Sequence, residues 1–174
     1  MSVTVAQLDD FPETQAAFLL AACCGSSRWV ASMVARRPFR TRAAVLSAAD
    51  QMALELQPAD WIEAFSHHPR IGERQSLVAV STMARDWSAD EQRVASDMDD
   101  RTRLELADGN TKYEQRFGFP FIVHASGRSA EELLAVLEER LGSSSDAELA
   151  IAAREQQLIT RQRLARLVRG MEEQ

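Results

Sequence analysis

The chain has 174 residues, 45% of them hydrophobic and 26% charged, which suits one globular domain large enough to bury a core. A net charge of −6 argues against a nucleic-acid or anionic-membrane partner, and nearby acids dilute the arginines at 36–40 and 154–169. The only cysteines, adjacent Cys23 and Cys24, point apart on a helix, so they read as buried thiols in a reducing cytoplasm rather than a disulfide.

In chain order, Pro12 opens an Ala-rich helical run to about Cys24, with Phe18 and Leu19 as expected core. Trp29, Val30 and Met33 mark a second amphipathic piece that stops at Arg36-Arg37-Pro38-Phe39. Thr41 is placed to cap a third helix carrying Val45, Leu46, Met52 and Leu54. Pro58 starts a fourth, with Trp61, Ile62 and Phe65, which ends in Ser66-His67-His68 because Pro69 cannot continue it. Further on, Ser88 and Glu91 form a capping-box pattern before a polar helix whose thin apolar side is Val94, Met98 and Leu104 or Leu106. Gly109 marks a place where that helix is expected to bend. Gly118 and Pro120 then break any helix, and Phe121 to Val123 favour an extended backbone whose polar groups need partners. Ser129 and Glu132 form a second capping box, for a helix with Leu133, Leu134, Leu137 and Leu141 that Gly142 ends. Asp146 is the expected cap of a last helix reaching about Gly170. The expected architecture is all-α: a single domain over 1–174, with seven or eight helices and one short extended segment near 118–125. No apolar run is long enough to cross a bilayer.

Three places carry side chains suited to chemistry. On the last helix, Leu149, Ala152, Ala153, Gln156, Ile159, Thr160 and Leu167 define an inward face, and Arg163 falls on it. A guanidinium on an apolar face must be paired or must meet a wet cavity. It is a structural ion pair, a snorkelling side chain, or an anion or carbonyl clamp. His67 and His68, two of the three histidines, make a poor metal pair because successive rings diverge. They either cap the preceding helix or act in acid–base chemistry, imidazole being the group that titrates near neutrality. Glu91 either completes its capping box or faces a cleft. No nucleophile elbow, phosphate loop or paired-cysteine motif is present.

Taken together, His67-His68-Pro69-Arg70-Ile71-Gly72-Glu73, Ser88-x-x-Glu91-Gln92, Asn110-x-x-Tyr113, Phe117-Gly-Phe-x-Phe-Ile and Arg163-Leu164 resemble the OHCU decarboxylase family. Trp29 and Arg37-Pro38-Phe39 extend the resemblance over essentially the whole chain. Its enzymes decarboxylate 2-oxo-4-hydroxy-4-carboxy-5-ureidoimidazoline (OHCU) to (S)-allantoin, the last step from urate. The resemblance implies His68 as the catalytic histidine and Glu91 as its acidic partner. It implies that Pro69, the segment Ser88, Ala89, Asp90, Glu91 and Gln92, the backbone of Phe121, Ile122, Val123, His124 and Ala125, and Arg163 bind the substrate. It further implies a cofactor-free, metal-free, helical homodimer acting on a small ureidoimidazoline. The rivals are a decarboxylase or hydrolase of another ureido compound and a non-catalytic helical binding module.

Overall fold

A computed structural model describes residues 2–68, 70 and 99–169. The expected start of a helix after Ser88, as far as Met98, and the site residues Pro69 and Ser88 to Gln92 lie outside the described residues. Among the described residues there are eight helices: α1 (Val5–Asp10), α2 (Glu13–Ala21), α3 (Ser27–Ala35), α4 (Arg42–Ala53), α5 (Pro58–Ser66), α6 (Asp100–Phe117), α7 (Ala130–Leu141) and α8 (Ser145–Leu167). The all-α expectation holds. The one pairing of strands among the described residues is two residues long, β1 (Val3–Thr4) parallel to β2 (Val168–Arg169), with Val3 opposite Val168. Helical periodicity carries no signal for so short a pairing.

The chain divides into two compact units, Met1–Ala64 with Gln156–Gln174, and Phe65–Glu155. In the first, Leu8, Leu20, Trp29, Met33, Val45 and Leu164 are fully or almost fully buried. Each such side chain contributes roughly 1.5–3 kcal/mol over its exposed state. Trp29 also satisfies its indole N–H, which donates to the Ala49 carbonyl at 3.4 Å. The Arg37-Pro38-Phe39 triplet proves to be a tie between elements. Arg37 Nη1 donates to the Leu8 and Phe11 carbonyls at 2.9 and 2.7 Å, and the Phe39 and Arg40 N–H groups both donate to the Asp9 carboxylate at 2.8 Å. Asp9 therefore receives a loop. The start of α1 is a capping box between Thr4 and Gln7.

Several caps stand where the sequence puts them: Thr41 on α4, and Ser129 with Glu132 on α7. At α8 the expectation is corrected. Ser144, not Asp146, accepts from the Ala147 N–H through Oγ, at 3.4 Å, and the helix ends at Leu167. Phe18, expected in the core, is 63% exposed, and Leu54, expected on the third helix, is 83% exposed. Phe18 sits one position off the Ala16, Leu19 and Leu20 stripe, and Leu54 falls just past the end of α4. Ile62 is likewise exposed, between buried Trp61 and Phe65.

Gly109 has a different role from the one expected. The helix α6 runs through it, and a Cβ there would lie 2.6 Å from Cδ2 of Leu137 on α7. The residue permits close packing of two helices rather than a bend. Gly118 then takes the left-handed conformation, φ +80°, that ends α6 and turns the chain into Phe119.

Candidate functional site

In the second unit, α5 ends as its sequence requires. The His68 N–H donates to the Phe65 carbonyl at 3.0 Å, which closes the last turn ahead of Pro69. His68 is half-buried, while His67 beside it is exposed. Three residues upstream, the buried Phe65 ring packs on Phe119, with centroids 5.2 Å apart. That contact ties the histidine turn to the segment that follows Gly118. Beyond Pro69, Arg70 forks onto Glu114 of α6, Nε to Oε1 at 2.6 Å and Nη2 to Oε2 at 2.5 Å. The bidentate geometry ties Arg70, just past the turn that carries His68, to α6.

The segment from Phe119 to Ala125 has neither helix nor strand assignment, and Phe119, Phe121, Ile122, Val123 and Ala125 are buried. Its aromatic rings gather around Tyr113 of α6. Phe117, Phe119 and Phe121 lie 4.7, 5.9 and 5.3 Å from it between centroids. Edge-on and tilted pairs of this kind contribute about 0.5–1.5 kcal/mol each beyond area burial.

Beneath the rings lies a buried polar cluster that the sequence reading missed. Arg140 Nε donates to Glu148 Oε1 at 2.7 Å, its Nη2 to the Tyr113 hydroxyl at 3.2 Å, and its Nη1 to the Ile122 carbonyl at 2.7 Å. The Tyr113 hydroxyl in turn donates a short hydrogen bond to Glu148. Burial and that donation to a carboxylate hold the phenol well above the usual tyrosine range. Arg140 also stacks over Phe121, 4.7 Å from the ring centroid. The signal was available: Arg140 continues the Leu133 and Leu137 stripe of α7, and Glu148 begins the Ala152, Gln156 and Ile159 stripe of α8. One turn and more beyond Glu148, Glu155 Oε2 accepts the His124 N–H at 2.7 Å.

Arg163 belongs to the first unit. It is half-buried and donates to the Ala22 carbonyl at 3.3 Å, its one hydrogen bond among the described residues. Nearby Cys23 and Cys24 are buried free thiols, their pKa values pushed up by burial and partly pulled back by the Arg163 charge. A cavity of about 10 Å³ lies in the same unit among Cys24, Trp29, Ala49, Trp61 and Thr160. At that size it holds one water at most, and none of the expected site residues that are described lines it. Among the described residues no group of three His, Cys, Asp or Glu side chains is placed to hold a metal ion. No described helix is long and apolar enough to cross a membrane.

The structure thus brings the His68 turn and the Phe121–Ala125 segment together in one unit, through Phe65 and Phe119. The family model described as OHCU decarboxylase matches residues 9–165. The uric acid degradation bifunctional protein TTL of Arabidopsis thaliana is 41% identical over 146 residues, which cover 83% of this chain and 45% of that protein. The chain thus spans about half the length of that relative. The 2-oxo-4-hydroxy-4-carboxy-5-ureidoimidazoline decarboxylase of Haloferax volcanii is 27% identical over 141 residues, 80% of each chain. A solved structure of an OHCU decarboxylase in the presence of (S)-allantoin superposes with a TM-score of 0.71 at 34% identity, over 83% of this chain and 93% of that one.

Proposed function

The chain belongs to the OHCU decarboxylase family, and from that premise we propose that it converts OHCU to (S)-allantoin in urate degradation. The observation that carries this reading is the family match over residues 9–165, which runs through both compact units. It also supports treating 1–174 as one functional domain.

The chemistry suits the residues. When the C–C bond to the carboxylate breaks, CO₂ leaves and the electron pair stays on a ring carbon beside a C=N and near a carbonyl. The heterocycle delocalises that pair, and one proton then quenches it on one face. The protein's task is to turn the carboxylate out of the ring plane, exclude water and control that proton. In this reading His68 handles the 4-hydroxyl and the acid–base step, coupled to Glu91. Pro69, Ser88 to Gln92 and the Phe121–Ala125 backbone line the substrate. Arg163 holds a ring or ureido oxygen. A tight grip on the departing carboxylate would stabilise the ground state and slow the reaction. The half-buried guanidinium, with a single long hydrogen bond among the described residues, supports this role. Homodimer formation and a cytoplasmic location belong to the same reading, and sedimentation equilibrium checks the dimer.

His68→Ala separates catalysis from helix capping. The expected result is a folded protein with its melting temperature little changed and a turnover rate lower by about 10²–10⁴-fold. A variant that melts early but turns over at the wild-type rate would make His68 a helix cap rather than the catalytic group.

A further inference from the structure

We propose that Arg140, Glu148 and Glu155 are positioning residues that hold the 121–125 backbone in register for the ligand; this rests on the decarboxylase reading. A segment without helix or strand still carries N–H and C=O groups that need partners when buried. Here side chains stand in for a neighbouring strand. Arg140 Nη1 meets the Ile122 carbonyl and Glu155 Oε2 meets the His124 N–H, each at 2.7 Å. In an extended chain, alternate residues turn their polar groups to opposite edges, so 122 and 124 share one edge and 121 and 123 the other. The first edge is occupied by the clamp. The N–H and C=O groups of Phe121 and Val123 meet no hydrogen-bond partner among the described residues, although both residues are buried.

The clamp is itself fixed. Arg140 is held by Glu148 through Nε and Nη2 and lies over the Phe121 ring, so its guanidinium has no freedom to follow a shifting carbonyl. Glu148 and Glu155 lie seven residues apart on α8, two helical turns, and so face the same way. One helix face therefore acts on the segment twice, directly through Glu155 and through Arg140 by way of Glu148. The inferred consequence is that the substrate's amide-like ureido groups are read by the Phe121 and Val123 backbone, while the clamp keeps that edge where the chemistry needs it.

Glu155→Ala and Glu155→Gln, compared with wild type, test this by steady-state kinetics on enzymatically generated OHCU and by amide hydrogen exchange. The alanine variant is expected to melt within a few degrees of wild type, to exchange the His124 amide faster and to lose roughly 10- to 100-fold in kcat/KM, mainly through KM. The glutamine variant keeps an acceptor and is expected to recover most of both. Unchanged kcat/KM in Glu155→Ala, with wild type active and the His124 amide exposed, would overturn the positioning role alone. An inactive wild type would instead overturn the decarboxylase reading beneath it.

Discussion

Two arginines occupy equivalent places on apolar helix stripes, and their surroundings could hardly differ more. Arg140 in the second unit is buried, and its donors are taken by Glu148, Tyr113 and the Ile122 carbonyl. Arg163 in the first unit is half-buried, with one 3.3 Å bond to the Ala22 carbonyl among the described residues. A buried cation needs its partners built in, because desolvation without them is prohibitive. A cation with donors to spare can meet a partner that arrives. The contrast marks Arg140 as scaffold and supports the proposed ligand contact of Arg163, although the sequence presents both as a charge on an apolar face.

The largest expected effect tests the first half of that contrast. Arg140→Met leaves Glu148 buried without its cation and should cost about 3–5 kcal/mol in urea unfolding. A loss under about 1 kcal/mol would mean that the cluster is not a scaffold. Arg163→Met should do the reverse: stability falls by no more than about 1 kcal/mol, while kcat/KM drops roughly 10- to 100-fold. Equal losses of stability in the two variants would erase the distinction.

A smaller effect is expected from Gly109→Ala, which pushes α6 against Leu137, one turn before Arg140. Overpacking costs about 1–3 kcal/mol and better helix propensity returns up to about 1, so the midpoint should fall modestly. Stabilisation would show that Leu137 has room to move. Last, Cys23 and Cys24 report on the unit of Arg163. Burial raises both thiols above their ordinary value of 9.0, so folding favours the protonated form. That contribution is intact below the unfolded thiol value and is lost as pH rises from there toward the folded one. Thiol reagents at pH 8 should label neither cysteine until the chain unfolds, and prompt labelling of native protein would contradict the burial.

Local signals survived translation into structure best. Ser129 with Glu132, Thr41, Pro58 and Gly118 act within a few residues of themselves, and each ends or begins a helix as its chemistry dictates. Long-range partnerships were only half legible. Arg163 was found by helical period, yet the same period on α7 put Arg140 beneath Leu133 and Leu137 and went unread. Glu148 was hidden by its place in the first turn of α8, where an acid ordinarily needs no further explanation. Gly109 looked like a bend because the residue that needs its missing side chain, Leu137, lies on another helix. The break at 118–125 was foreseen from Gly118 and Pro120, but its side-chain clamp was not, since nothing in Phe-Ile-Val-His specifies which carboxylate will meet its N–H.

The most direct test of the central claim is the handedness of the product. OHCU generated from urate by urate oxidase and hydroxyisourate hydrolase, mixed with wild-type protein and followed by circular dichroism, should give a rapid (S)-allantoin signal. Racemic allantoin forming at the uncatalysed rate in the presence of well-folded protein would contradict the decarboxylase account.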